Sequence, residues 1–314
     1  MTARLGALWL GLPATTRGIA LMLISTLFFS AMHALIRMIS AELHTFQIAL
    51  FRNFFGVLVI LPWFLRDGLA PLRTQRLGLH GIRSVINVCA MFAFFGALSL
   101  SPIAEVTALG FSAPIFAAVL SILLLREVVR LRRWSAIVIG FLGTLVILRP
   151  GFESIDLGAA LTLLSALLWG LTLIVIRVLG RTESSVTTTS YMVILMTLLS
   201  LVPAIFVWRW PSAEVWGLLV AAGVLGTLGQ FAVAQSLKEA ETGAVMPFDF
   251  FKLIWAAILG YLLFAEVPGA FIWLGGAMIF AAATYIAYRE NQVAKAEEAE
   301  RKRSAEARLE GPAS

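Results

Sequence analysis

Long apolar runs, separated by short stretches holding Arg, Pro, Gly and acids, fill the chain from residue 18 to residue 288. Each run is roughly 20 residues long, which at the rise of an α-helix matches the hydrocarbon thickness of a bilayer. The runs do not alternate apolar with polar positions, as the strands of a membrane barrel would. A bilayer interior has no water to satisfy loose peptide groups, so only helices or closed barrels cross it, and this pattern selects helices. The chain therefore reads as an all-α integral membrane protein with ten transmembrane helices. They are expected near 18–39, 45–65, 79–98, 102–125, 134–148, 158–179, 188–207, 214–237, 244–264 and 270–288. Turn signals such as Arg149-Pro150-Gly151 and Val267-Pro268-Gly269 punctuate the connections.

The second half of the pattern repeats the first. At an offset of 140, Gly18, Ala20, Leu21, Leu23, Ser25, Leu27, Ile36 and Arg37 meet Gly158, Ala160, Leu161, Leu163, Ser165, Leu167, Ile176 and Arg177. At an offset of 139, Leu98, Val106, Phe111, Ile115, Ala117, Ala118, Leu120, Glu127, Val128 and Trp134 meet Leu237, Val245, Phe250, Ile254, Ala256, Ala257, Leu259, Glu266, Val267 and Trp273. Leu and Ala matches are cheap in such a sequence, but Arg, Glu and Trp in register are not. Each half holds five helices, an odd number, so the second copy enters the membrane upside down, as a 5+5 inverted repeat. The first repeat is expected over 18–148 and the second over 158–288. Inverted halves that exchange roles around a site near the midplane are the architectural basis of alternating access, so the repeat favours a transporter.

Charge sets the orientation. With the N-terminus inside, the cytoplasmic segments hold Arg4, Arg17, Arg66, Arg73, Arg76, Arg126, Arg130, Arg132, Arg133, Arg181, Lys238 and the basic tail, whereas the opposite loops hold Arg149 and Arg209. That asymmetry follows the positive-inside rule and places both the 1–17 segment and the charged 289–314 tail in the cytoplasm, across the cell inner membrane. Polar composition in the tail, with little hydrophobic stripe, predicts a solvated, fraying helix or disorder. The formal charge of +6 could suit a nucleic-acid binder, but the basic residues sit at helix ends, where topology and anionic lipid account for them. Only 13% of residues are charged, against about 25% in a typical soluble domain. The single Cys89 excludes an intrachain disulfide and a cysteine-built metal site, and its apolar run predicts a buried, inert thiol.

Ionisable residues inside the runs are the candidate chemistry, since each costs on the order of 3 kcal/mol at a helix centre. Arg83 is close enough to the inner end to snorkel, and Arg37 is similarly terminal. Arg52 lies about seven residues inside its helix, so a cavity and an ion pair with Glu105 are both open. Asp249 and Lys252 are one helical turn apart. They form either a self-neutralising pair or a cavity lining in which Asp249 meets an amine or a proton and Lys252 an anion. Among neutral groups, His33 could titrate in a proton-coupled cycle or simply pack. Asn53, Asn87, Trp169, Gln230 and Gln235 complete the set, Gln230 following Gly223, Gly226 and Gly229, which permit close helix approach. The expected substrate-binding residues are Arg52, Asn53, Asn87, Trp169, Gln230, Asp249 and Lys252, with His33 and Asp249 for proton coupling. Their net positive balance suits a zwitterionic or anionic amphipathic metabolite.

Several stretches carry a family likeness: Leu43-His44-Thr45-Phe46 running into Phe51-Arg52-Asn53-Phe54-Phe55, Ser112-Ala113-Pro114-Ile115-Phe116 ending at Arg126-Glu127, and Gly260-Tyr261-Leu262-Leu263-Phe264-Ala265-Glu266. With the ten-helix layout, the chain resembles the drug/metabolite transporter superfamily, specifically its EamA-type bacterial members. The resemblance implies a central cavity lined by helices one to four and six to nine. It also implies a substrate among those of amino-acid exporters, S-adenosylmethionine carriers and riboflavin carriers. Phe248-Asp249-Phe250 matches an aromatic-acid-aromatic run of such proteins, whereas Lys252 stands where a small or neutral residue is expected. A membrane-embedded enzyme and a non-transporting scaffold are the rival classes. The sequence shows no phosphate-cradling glycine loop, no HExxH, no GxSxG and no carboxylate dyad beside a base, so no cofactor or catalytic residue is implied.

Overall fold

The computed structural model describes residues 12–67, 74–125, 131–149, 156–179, 182–183, 185–240, 242–286, 288 and 292. Among the described residues there are helices and no strands. Most of the expected cytoplasmic end segments, and the loop carrying Arg126 and Glu127, lie outside them. In chain order the helices are α1 (Ala14–Ile39), α2 (Thr45–Asp67), α3 (Leu77–Leu100), α4 in two pieces (Ile103–Gly110 and Ala113–Leu125), α5 (Leu131–Leu148), α6 (Leu157–Leu179), α7 (Ser185–Phe206) and α8 (Ala213–Glu239). α9 begins as a single turn (Thr242–Val245) and a 3-10 segment (Met246–Phe250) before its regular part, Phe251–Phe264. α10 is Ala270–Ile286. Six of these units, α1, α3, α4, α6, α8 and α9, are long and apolar enough to cross a membrane, and the apolar stretches of the other four are shorter. Their outer surface carries large apolar side chains such as Leu123, Leu262 and Leu274. Exposed apolar side chains in such number suit contact with lipid rather than water.

Two of the expected runs are interrupted. The helix at 102–125 breaks at Phe111-Ser112, because Pro114 lacks an N–H and its ring would collide with the carbonyl of Gly110. The Ser112 hydroxyl donates to the Leu109 carbonyl at 2.6 Å, closing the turn. The run at 244–264 starts as a 3-10 coil with Pro247 in its first turn and becomes α-helical only at Phe251.

Helix pairing has a two-fold logic. α1 packs on α8 as α6 packs on α3; α9 lies on α1 as α4 lies on α6; α2 contacts α8 as α7 contacts α3, and α2 and α7 contact each other. The two tightest pairs use matched glycines. A Cβ on Gly18 would strike the Ala240 side chain, and a Cβ on Gly158 would strike Ser101. Hydrogen bonds lock both pairs, from Ser236 Oγ to the Gly18 carbonyl at 2.6 Å and from Ser165 Oγ to the Ala90 carbonyl at 2.8 Å. α5 and α10 approach closely enough that Gly143 and Gly275 face each other's backbone. The buried side chains form two clusters. One holds Met32, Ile36, Ile48, Met91, Val215 and Leu219 of α1, α2, α3 and α8, and the other Leu109, Ile115, Ile137, Leu253 and Ile279 of α4, α5, α9 and α10.

Cys89 corrects one expectation: it is exposed rather than buried. It falls on the stripe of α3 that carries Ile82 and Val85 out of the bundle.

Candidate functional site

The breaks in α4 and α9 meet. Phe111, at the α4 interruption, stacks on Phe250, at the end of the 3-10 segment, with ring centroids 6.1 Å apart. These two residues are partners in the sequence repeat. Phe280 of α10 leans on both, 5.5 Å from Phe111 and 4.9 Å from Phe250. Neither Phe111 nor Phe250 is among the site residues expected from sequence, and their match in the repeat is the signal that points to them.

Next to this aromatic group, the 3-10 segment presents Asp249 and the first turn of the regular helix presents Lys252, whose Nζ lies 2.6 Å from the Asp249 carboxylate. Neither side chain is sealed off; 16% of Asp249 and 22% of Lys252 stay accessible. Lys252 also lies 5.2 Å above the Phe29 ring, and its carbonyl accepts from the Ser30 hydroxyl, so α1 and α9 share this pair. One turn further along α1, the His33 ring tilts against Phe94 of α3 at 4.9 Å. Both Lys252 and Arg52 lie within electrostatic reach of His33, whose buried Nδ1 has no hydrogen-bond partner.

Arg52 reaches the same region from α2. A Cβ on Gly226 would press against its guanidinium and against Met32, so the glycines of α8 open the space that the arginine occupies. Gly223 receives Phe55 and Gly229 receives Phe29 in the same way. Arg52 donates to Asn53 Oδ1 at 3.0 Å, while its Nε and the Asn53 Nδ2 are buried without partners. Glu105 is not its counter-ion, and Arg52 pairs with no carboxylate among the described residues. Among the described residues Arg52 thus shows no ion pair, and Gly226 lets α8 lie against its guanidinium.

The structure thus brings His33, Arg52, Asn53, Asp249 and Lys252 into one region, framed by Phe29 and Phe94. The remaining candidates are not tied to it. Asn87 is fully buried on α3 with both amide atoms unpaired, a condition that costs about 1–3 kcal/mol unless a ligand or water relieves it. Trp169 is half-buried on α6 at the position matching Phe29. Gln230 is exposed on α8, one turn beyond Gly226 on the helix face that meets Arg52. Gln235 bonds Glu239 at the end of α8, beside the Arg17–Glu239 ion pair of 2.7 Å, and belongs to the helix-end scaffold.

Arg83 corrects a second expectation. It does not snorkel outward; it is buried and donates to the Thr188 carbonyl of α7 at 2.8 Å, which meets its polar head inside the bundle. Beside it His80 stacks on Tyr191 at 4.7 Å and faces Glu183 at 3.9 Å, a cluster that no sequence motif announces beyond the i,i+3 spacing of His80 and Arg83. At the opposite helix ends, Arg37 pairs with Glu266 at 2.5 Å.

Comparison with known proteins fits this architecture. The EamA-like transporter family model matches the chain twice, over residues 16–149 and 156–288. A riboflavin transporter of Vibrio cholerae is 32% identical over 295 residues, 93% of this chain and 96% of that protein. An S-adenosylmethionine uptake transporter of Rickettsia felis is 28% identical over 88% of this chain and 94% of its own length. A pseudopaline exporter of Pseudomonas aeruginosa is 28% identical over 84% and 94%. A solved crystal structure shares the fold with a TM-score of 0.57 at 20% identity, covering 86% of this chain and 95% of that one. With a helical, apolar architecture and a family match along nearly its whole length, the chain belongs to the EamA-like transporter family of membrane proteins.

Proposed function

We propose that this chain moves a small amphipathic metabolite, of amino-acid, S-adenosylmethionine-like or flavin-like chemistry, across the cytoplasmic membrane by alternating access. The moving parts are two inverted five-helix halves, both chain ends are cytoplasmic, and proton coupling runs through His33 or Asp249. The observation that carries this reading is the stacking of Phe111 on Phe250. Residues matched in the repeat meet where their helices are broken, beside the Asp249–Lys252 pair. Discontinuous helices meeting at the interface of two repeats are where secondary transporters hold substrate and coupling ion. The reciprocal helix pairings and the double family match support the duplication on which the mechanism depends. Substrate chemistry is drawn from the riboflavin, S-adenosylmethionine and pseudopaline named for the relatives.

The test is flux into proteoliposomes holding the purified protein, with labelled riboflavin, S-adenosylmethionine and tryptophan, with and without a pH gradient. Uptake of at least one above empty liposomes is expected, stimulated by the gradient. Parallel labelling of cysteines engineered at each chain end in intact cells and inverted vesicles reports the topology. Absence of flux for every compound, or chain ends on opposite sides, sinks the reading.

A further inference from the structure

Of the two cations in the central region, Lys252 already has its charge met. Its Nζ is 2.6 Å from Asp249 and rests over the Phe29 ring. Arg52 does not. It stands inside α2, it pairs with no carboxylate among the described residues, and its one hydrogen bond goes to the neutral side chain of Asn53. Its Nε and the Asn53 Nδ2 are buried and unpartnered, two donors on neighbouring residues without an acceptor among the described residues. Of the other charged or titratable groups in this region, His33 and Lys252 add no negative charge, and the one carboxylate, Asp249, is paired with Lys252. An ion withdrawn from water without a counter-charge is strongly unfavourable, and such a residue inside a membrane marks a functional site. Arg52 as a whole is only partly buried, although its Nε is enclosed.

Resting on the transport reading above, we infer that the transported molecule carries a carboxylate or similar oxyanion, and that Arg52, with the Asn53 amide beside it, is the subsite that takes it. A planar oxyanion accepts two parallel N–H bonds from a guanidinium, and the unpaired Asn53 Nδ2 supplies a third donor. The subsite then acts as a specificity filter, because a ligand without the anion leaves a buried cation unpaired. It separates the chemistries named for the relatives. S-adenosylmethionine presents an α-carboxylate to Arg52, whereas riboflavin presents no acidic group and serves Arg52 only in phosphorylated form.

The experiment uses matched pairs as probes: S-adenosylmethionine with its decarboxylated form, tryptophan with tryptamine, and riboflavin monophosphate with riboflavin. Binding is read by thermal stabilisation of the full-length detergent-solubilised protein, independently of flux. In the wild type, the member carrying the carboxylate or phosphate in at least one pair is expected to bind about tenfold tighter than the member that lacks it. Arg52→Gln removes that difference, and Arg209→Gln, at an exposed residue on the connection between α7 and α8, retains it. Arg52→Lys, which keeps the charge and the fold but not the planar fork, reduces it. The inference is overturned if no pair shows the preference in the wild type, or if Arg52→Gln or Arg52→Lys keeps it at full strength. Arg52-dependent binding without flux of any probe would instead sink the transport reading and leave the anion subsite standing. Flux of the members lacking the oxyanion as fast as those carrying it, in wild type and Arg52→Gln alike, would do the reverse.

Discussion

Arg37 at the end of α1 holds Glu266, just past the end of α9, in a 2.5 Å ion pair. The same guanidinium donates to the Ser101 carbonyl and lies 5.0 Å from the Phe264 ring. Glu266 in turn accepts from the Ile103 backbone N–H at 3.1 Å, satisfying an open donor at the start of α4. One carboxylate therefore ties three helix ends together on one side of the bundle. If the proposed alternating-access cycle parts that side, the pair would be a latch whose strength biases the two states. Glu266→Gln removes the charge and keeps the shape. With side chains 20% and 15% accessible, its loss is expected to destabilise the closed arrangement by about 2 kcal/mol, between exposed and fully buried pairs. In a Cys89→Ser background, a cysteine placed at Ser101 should then label more than tenfold faster than with Glu266 intact. An unchanged labelling rate would show that the ion pair does not hold that side shut.

The residue before Glu266 is under local strain. Ala265 has φ 56°, left-handed backbone that suits glycine, and it ends α9 with its N–H on the Tyr261 carbonyl while the Glu266 N–H reaches back to Gly260. That turn aims the Glu266 side chain at Arg37. Ala265→Gly relieves the steric cost and should raise the stability of the detergent-solubilised protein by up to about 1 kcal/mol, with transport preserved. A drop in melting temperature would show that the turn gains more from alanine's stiffness than it loses to strain.

The two glycine contacts at the α1–α8 and α6–α3 crossings make a paired prediction. Gly18→Ala drives a methyl into Ala240, and Gly158→Ala drives one into Ser101. Each should cost about 1–3 kcal/mol, the usual range for overpacking. Gly217, near the start of α8, has open space where a Cβ would stand, so Gly217→Ala should be neutral or mildly stabilising. Thermal unfolding of the three variants side by side checks this, and equal melting temperatures for all three would refute the close-packing account. Loss of the interhelical hydrogen bonds is a smaller matter; Ser236→Ala should cost only about 0.6 kcal/mol, the average for such bonds in lipid.

Most of the helix pattern is legible in the sequence because apolar run length is a one-dimensional signal. Expected and observed boundaries agree within a few residues for α1, α2, α3, α6 and α8. The interruptions in α4 and α9 are not, despite Pro114 and Pro247, because a run that stays apolar across a proline looks continuous by composition. Within the site, the Asp249–Lys252 pair is readable from its i,i+3 spacing alone. That Arg52 has no counter-ion among the described residues is not, since it depends on how α8 passes over α2 at Gly226. Arg83 misleads for a related reason. Depth along a helix suggests escape to the interface, but the nearest acceptor is a carbonyl of α7, more than a hundred residues away in sequence.

The Asp249–Lys252 pair can be dissected to separate structure from function. Asp249→Asn leaves Lys252 as a partly buried cation without its partner, and Lys252→Gln does the same to the carboxylate, so each single variant should lower yield and melting temperature. Asp249→Asn with Lys252→Gln removes both charges at once and should restore stability close to wild type, with a coupling energy of about 2 kcal/mol in the double-mutant cycle. If the pair only neutralised itself for insertion, the double variant would transport normally. If the pair opens to receive the ligand, the double variant folds but its flux stays at about a tenth of wild type or less, because the ligand's own polar groups no longer find a partner at the break in α9. Stable protein without flux is the outcome the geometry predicts, since both charges stand at the helix discontinuity, beside the stacked Phe250, with part of each still open to whatever enters. Full flux from the stable double variant would confine the binding role to Arg52 and leave Asp249 and Lys252 as packing.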